Sequence, residues 1–513
     1  MTSCARVPLT SSVVLLVLVG CQDHVLAPVD VGNEDSSRDT LDTSDSGAPD
    51  SADTGEPVET GHPPSCGDTR LLGPEDGRPL VRDDAVVPED EDFSVTGFGQ
   101  IVGVGVLESN PAFWVQAGAM CTGSRCPGHG SEWGGAYLLP GSAWEDTVLP
   151  SDARPNIGVP AGAEGGAMLV RGGLTLGGGT EAGAAFQDST RDENTLYLFD
   201  TAPPPGSEAP EADVRIDNAD AAGAWFGDLD SDGLDDVIIP LRTTPIHLSP
   251  LASGVRDASG DADVTLSMSP AFSDLAVADL DGDGIADLAS ESHETTSDGQ
   301  VAVLLFLRGP VTDDRAGDPD GTLENDVGVD DEASYGVSGG SLVEVGDLTG
   351  DAREDLAWVT VNPETGETVV FVVDQLPAGS APLSGLTTRV VVPPAEDTSV
   401  RATPTYSAGA HPGDLTGDGF ADLVLPSGYS NAGSSPELRT YIVPGPVDGE
   451  VDLSDGAIEM RLPGLDRYDR QMGTSVPDVD GDGVDELLLG VYNTDSNTVQ
   501  AGTVWLFPGC EDW

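Results

Sequence analysis

Five times the chain repeats a nine-residue phrase of the form Asp-x-Asp/Thr-x-Asp-Gly-x-x-Asp/Glu. The copies are "DLDSDGLDD", "DLDGDGIAD", "DLTGDARED", "DLTGDGFAD" and "DVDGDGVDE", starting at Asp228, Asp279, Asp347, Asp414 and Asp478. When such a loop curls, the side chains at its positions 1, 3 and 5 converge on one point. A glycine at position 6 permits the sharp turn, and the carbonyl of position 7 also faces inward. Carboxylates crowded in this way repel one another, and some are driven to protonate, unless a cation lies among them. Hard oxygen donors, about six to eight of them at roughly 2.3 to 2.6 Å, are what Ca²⁺ requires. The phrase therefore predicts a loop whose fold includes a metal ion. It is not an EF-hand, which needs a glutamate at position 12 and helices on both sides. Here position 12 is Ile239, Ser290, Trp358, Leu425 or Leu489, each inside an apolar run that reads as a strand.

The spacing of the copies constrains the architecture. Successive loops start 51, 68, 67 and 64 residues apart, and each is followed by an apolar run, a polar loop and a second apolar stretch. Those second stretches, "TPIHLSP", "VAVLLFL", "ETVVFVVD", "LRTYIVPG" and "GTVWLFPG", have the β-branched and aromatic content of buried strands. Two earlier segments, "PAFWVQAGAM" with "GGAYLLPG" and "GGAMLVRGG" with "NTLYLFD", share the second half of the pattern without the acidic loop. Five marked and two unmarked units make seven over residues 66–513, about 64 residues each, enough for a four-stranded sheet with its loops. The expected fold is all-β: a seven-bladed β-propeller of four-stranded antiparallel blades, with calcium loops in the last five.

The acidic phrase, together with "GFGQIVGVG" at 97–105, "WFGD" at 225–228 and "MGTSVPD" at 472–478, resembles the FG-GAP (VCBS-type) repeats of the integrin α-subunit propeller and related bacterial proteins. The resemblance covers about 450 residues. It implies that each loop joins the first two strands of a blade and that up to five Ca²⁺ ions line one rim. The ligands it implies are Asp228, Asp230, Asp232, Asp236 and the carbonyl of Leu234 in the first loop. In the second they are Asp279, Asp281, Asp283, Asp287 and Ile285, and in the third Asp347, Thr349, Asp351, Asp355 and Arg353. The fourth supplies Asp414, Thr416, Asp418, Asp422 and Phe420, and the fifth Asp478, Asp480, Asp482, Glu486 and Val484. The third loop carries Ala352 in place of the turn glycine and Thr349 in place of a carboxylate, so it is expected to bind most weakly.

Charge and cysteine content bound the setting. The 513 residues carry 90 Asp plus Glu against 21 basic residues, all Arg, for a net charge of −69. That balance argues against binding nucleic acid or anionic lipid through a basic patch. The first twenty residues, with Arg6 and an apolar run at 13–19, read as an export signal too short to span a bilayer. The sequence "LVGC" before residue 22 resembles a bacterial lipoprotein signal, which implies lipidation of Cys21. Residues 21–65 then form a lipid-anchored acidic linker, 11 of whose residues are Asp or Glu; its composition predicts disorder. In an exported protein the remaining Cys66, Cys121, Cys126 and Cys510 read as two disulfides. The short "CTGSRC" loop pairs Cys121 with Cys126 and leaves Cys66 to Cys510.

No catalytic residue is expected. "GVSGG" at 336–340 has the spacing of a nucleophile elbow, but it runs into an acidic loop rather than a helix, so Ser338 reads as a blade residue. The six histidines show no zinc-ligand spacing. The expectation is a non-enzymatic, calcium-binding propeller displayed on a bacterial membrane, acting in adhesion or protein–protein contact. Its expected partner is a surface protein or glycan, with membrane contact only through the lipid anchor and no nucleic acid. A secreted hydrolase or lyase with a central-channel site, or a carbohydrate-binding module, stands as the alternative.

Overall fold

The computed structural model describes strand segments between residues 71 and 188, and most of 193–324, 342–392, 413–463 and 469–510. The signal peptide, the linker, Cys21, Cys66, Cys126, Ser338 and Asp480, with the Cys121 side chain, lie outside the described residues. The described residues fall in one compact unit, Gly61–Trp513. They are all-β: the named elements are strands, with one 3-10 turn at Leu383–Gly385.

Each stretch of about 65 residues folds mainly onto itself, so its strands pair antiparallel with their neighbours in sequence. In the unit of the first acidic loop, Trp225–Gly227, Asp236–Ile238, Thr244–His247 and Val264–Met268 pair in that order. The units of the second and third loops repeat it with Asp274–Ala278, Asp287–Thr296, Gly299–Leu307 and Gly321–Glu324, then Leu342–Gly346, Asp355–Val361, Thr368–Val373 and Arg389–Val392. In the fourth a Gly413–Asp422 bridge precedes Leu423–Pro426, Glu437–Val443 and Ile458–Pro463. The fifth joins Asp469–Val476, Glu486–Asn493 and Thr503–Phe507 to Arg78–Arg82, from the other end of the chain. With two sheets built from residues 93–217, seven sheets are found among the described residues.

The sheets differ from the expected four strands in one consistent respect. The edge beside the last strand of each receives, in parallel, a short strand from another stretch of chain, in most cases the one that follows. Arg315–Gly317 joins Val264–Met268, Gly379–Pro382 joins Gly321–Glu324, and Glu450–Asp452 joins Arg389–Val392. The last pairs of the series are Leu71–Leu72 on Ile458–Pro463 and Val148–Leu149 on Arg78–Arg82. An edge strand presents unpaired backbone groups, and the added strand satisfies them.

Packing explains why the third strand of these units is an almost unbroken apolar run. Alternate residues of a strand point to opposite faces, and here both faces are covered. Val303, Leu305 and Leu307 pack with Ile246, Val264 and Leu266 of the preceding sheet. Leu304 and Phe306 pack with Leu356, Trp358 and Phe371 of the following one. The same sandwiching joins Val370 and Val372 to Leu423 and Leu425, and Ile442 and Met460 to Leu487 and Leu489. The acidic loops are pinned to these layers by their second residue: Leu229, Leu280, Leu348 and Leu415 are each 0% exposed.

Candidate metal centres

Four of the acidic loops lie between the first two strands of their units and the loop at Asp414 is closed by the Gly413–Asp422 bridge; each backbone is wound around its own carboxylates. The position 1 carboxylate accepts N–H bonds from positions 4 to 6. For Asp228 these are Ser231 at 2.7 Å, Asp232 at 3.1 Å and Gly233 at 2.9 Å. The position 6 amide makes the equivalent bond in the other four loops, to Asp279, Asp347, Asp414 and Asp478. At position 5 one oxygen caps the amide of position 7, as from Leu234 to Asp232 at 2.9 Å and from Phe420 to Asp418 at 3.0 Å. Position 6 has positive φ: 86° at Gly233, 84° at Gly284, 92° at Gly419 and 96° at Gly483. In the third loop Ala352 is forced to φ 68°, a conformation costly for a residue with a Cβ.

Position 9 is the buried floor of the site. Asp236 and Asp355 are 0% exposed, and Asp287, Asp422 and Glu486 nearly so. Each described aspartate floor is clamped by backbone amides. Asp236 accepts from Leu229 at 3.0 Å and from Ser249 at 2.8 Å; Asp287 accepts from Leu280 at 3.1 Å and from Gly309 at 2.8 Å. Asp422 accepts from Thr416 at 2.9 Å and from Gly445 at 2.9 Å. Gly445 has to be glycine here, since a Cβ would stand 2.6 Å from the carbonyl oxygen of Ala421.

Three loops bring carboxylates together: Asp228, Asp230 and Asp236; Asp279, Asp281 and Asp287; Asp478, Asp482 and Glu486 each place three oxygens within 4.8 Å of one another. Position 3 thus joins positions 1 and 9 in the first two loops, while Asp232 and Asp283 stand outside the triads. In the third and fourth loops a threonine replaces the position 3 acid. Its hydroxyl lies 3.3 Å from Asp355 Oδ1 in the third loop and 3.4 Å from Asp422 Oδ1 in the fourth. Arginines touch two of the sites: Arg308 pairs with Asp281 at 3.0 Å, and Arg353 with Asp351 through Nε at 3.0 Å.

Electrostatics agree with the chemistry of the donor set. Burial, reinforced by neighbouring carboxylates and only partly offset by the amide bonds, pushes the Asp236, Asp355 and Asp422 carboxyls up to about 7. Asp287 rises to about 6 for the same reasons. Such groups are desolvated acids waiting for positive charge, and all are oxygen donors, so the residues present fit a hard divalent cation.

A pH dependence follows. Above the ordinary carboxyl value of 3.8, the folded metal-free chain keeps protons that the unfolded chain has released, on Asp287 up to about pH 6 and on Asp236, Asp355 and Asp422 up to about pH 7. Stability is then fully present below pH 3.8 and is lost as pH rises through about 7, with a limiting slope of about 1.4 kcal/mol per pH unit for each group. His247, whose pKa burial lowers, contributes in the opposite sense, since its neutral ring must charge as pH falls. One imidazole does not outweigh four carboxyls. In chelator, the urea midpoint is expected to be lower at pH 7 than at pH 5; an equal or higher midpoint at pH 7 would contradict the protonated floor.

Sequence reasoning missed two features of the site. One is the leucine at position 2, visible in four of the five phrases but unremarkable in composition. The other is position 8, whose residues Glu354 and Asp485 reach across to a neighbouring loop. Of the cysteines, Cys510 is buried and disulfide-bonded, and its expected partner Cys66 lies outside the described residues. Compared with known proteins, the chain matches no protein-family model and no curated protein.

Proposed function

We propose that this chain is a seven-bladed propeller that takes Ca²⁺ into its acidic loops and is displayed on a bacterial membrane, through a lipid on Cys21 and the acidic linker, for adhesion or protein–protein contact. The observation that carries the calcium reading is the burial of an acid at position 9 of five successive units, in three of which it meets two further carboxylates of its loop. The donor set is the whole argument for the metal: carboxylates, carbonyls and hydroxyls without nitrogen or sulfur suit calcium better than a transition metal. When bound, the ion would neutralise the floor carboxylates and tie together the two ends of each loop.

The ring reading is supported by the hand-over of a parallel strand between stretches of chain, in most cases to the sheet before, and by the pairing of Arg78–Arg82 with Thr503–Phe507. Radial packing of this kind leaves loops on both rims free for contact. Adhesion to a surface protein or glycan rests on the FG-GAP resemblance and on display.

Metal analysis of the full chain after equilibrium dialysis tests the proposal. Three Ca²⁺ per chain are expected to fill first, at the three carboxylate triads, rising towards five as the Thr349 and Thr416 loops load. Binding of fewer than three ions at millimolar Ca²⁺ would defeat the proposal.

A further inference from the structure

The acidic loops are bonded to one another in series. The amide of position 8 donates to the position 1 carbonyl of the preceding loop: Ala286 to Asp228 at 2.9 Å, Glu354 to Asp279 at 3.3 Å, Ala421 to Asp347 at 3.1 Å and Asp485 to Asp414 at 3.1 Å. A second bond reinforces three of these four junctions. Val311, Val447 and Cys510 donate to the carbonyls of Leu229, Leu348 and Leu415 at 2.7, 2.8 and 2.8 Å.

At two of the junctions the side chain of position 8 adds a clasp. Glu354 Oε2 accepts the Asp279 amide at 2.6 Å. The Asp485 carboxylate accepts two amides, Asp414 at 3.0 Å through Oδ2 and Asp478 at 3.2 Å through Oδ1. It therefore bridges the first residues of two neighbouring loops. Gly413 makes room for this bridge, since a Cβ there would come within 2.8 Å of Asp485 Oδ2. At the other two junctions position 8 is Ala286 or Ala421, which has no oxygen to offer.

We infer that Glu354 and Asp485 are positioning residues that couple neighbouring acidic loops in pairs, Asp279 with Asp347 and Asp414 with Asp478, so that each pair takes up its ions cooperatively. The inference rests on the calcium reading above. The position 8 peptide lies between a carbonyl and a carboxylate of its own loop, at positions 7 and 9. Its partner is the peptide carbonyl of the first carboxylate of the loop before. That peptide hydrogen bond joins each later loop to the one before; where the carboxylate of Glu354 or Asp485 doubles it, ordering either loop removes conformations from the other, and the second ion then binds to backbone already fixed. Neither clasp residue belongs to a carboxylate triad.

Hydrogen exchange resolved by peptide, followed through a calcium titration of the full chain, tests this. Asp482→Asn weakens the fifth loop. With Asp485 intact it is expected to move the calcium midpoint for protection of residues 414–420 upward by about fivefold or more. In an Asp485→Ala background the same substitution is expected to move that midpoint by no more than about twofold, because the carboxylate bridge is gone and only the Asp485 and Cys510 amides still join the two loops. Asp485→Asn serves if the alanine variant does not fold, since its amide group cannot accept on both sides. For the other pair, Glu354→Ala should uncouple Asp279 from Asp347, while Glu354→Gln, which keeps an acceptor oxygen, should restore the coupling. Calcium protection in every loop with midpoints that ignore Asp482→Asn would overturn the coupling alone. No calcium-dependent protection in any loop would overturn both the coupling and the calcium reading.

Discussion

Adding calcium to the chelator-treated protein at pH 7 is expected to raise its thermal unfolding midpoint by about 10 to 15 °C. An ion present at a hundred times its Kd, and bound only by the folded chain, stabilises by about 2.7 kcal/mol, so five such ions give roughly 13 kcal/mol. Spread over the unfolding entropy of about 450 ordered residues, about 0.9 kcal/mol per degree, this yields the stated shift. The physical source is specific: Asp236, Asp355 and Asp422 cannot ionise at neutral pH without cost, and the ion removes that cost. Magnesium at the same concentration should do much less, because it demands near-octahedral geometry and sheds water reluctantly. Differential scanning fluorimetry in chelator, calcium and magnesium reads the effect directly; a midpoint indifferent to calcium would remove the metal from the fold.

Asp422→Ala is expected to be the most damaging single substitution in the loops. The residue is 4% exposed, and its two oxygens receive the amides of Thr416 and Gly445. Truncation leaves both amides buried without an acceptor and opens a small polar void, a loss of about 3 to 5 kcal/mol even in chelator. Asp422→Asn separates the two roles of the carboxyl. It keeps an acceptor for one amide and costs little in chelator, where the native acid is about half protonated near pH 7. In calcium it forfeits a charged donor and much of the stabilisation. Urea unfolding of the three proteins with and without calcium makes the comparison, and an alanine variant as stable as the native chain would show that the floor is not clamped.

Much of this arrangement could be read before any coordinates. The aspartate phrase recurs every 64 to 68 residues in the later copies, the resemblance it carries implies a loop between two strands, and runs such as "VAVLLFL" announce buried strands. What could not be read has identifiable causes. The parallel edge strands are two to four residues long with little apolar signal: Gly254–Asp257 is largely exposed, and its Val255 is 65% exposed. Their place depends on the neighbouring sheet, not on local preference. Which oxygens meet differs between loops: in the fifth, Asp482 at position 5 joins Asp478 and Glu486 although it also caps the Val484 amide. Position 5 spends an oxygen on the amide two residues ahead, and in the first two loops position 9 takes its place beside positions 1 and 3. The junctions through Glu354 and Asp485 join residues 75 and 71 positions apart, beyond the reach of any local pattern.

The sheet that holds Arg78–Arg82 against Thr503–Phe507 joins residues about 425 positions apart. A growing polypeptide would display the early strand for almost the whole of its synthesis before the late one exists. Such high contact order makes final assembly slow and leaves a sticky edge open to other chains meanwhile. Heavy negative charge on the nascent chain would hold those copies apart during that wait, a use for acidity quite separate from any ion it binds.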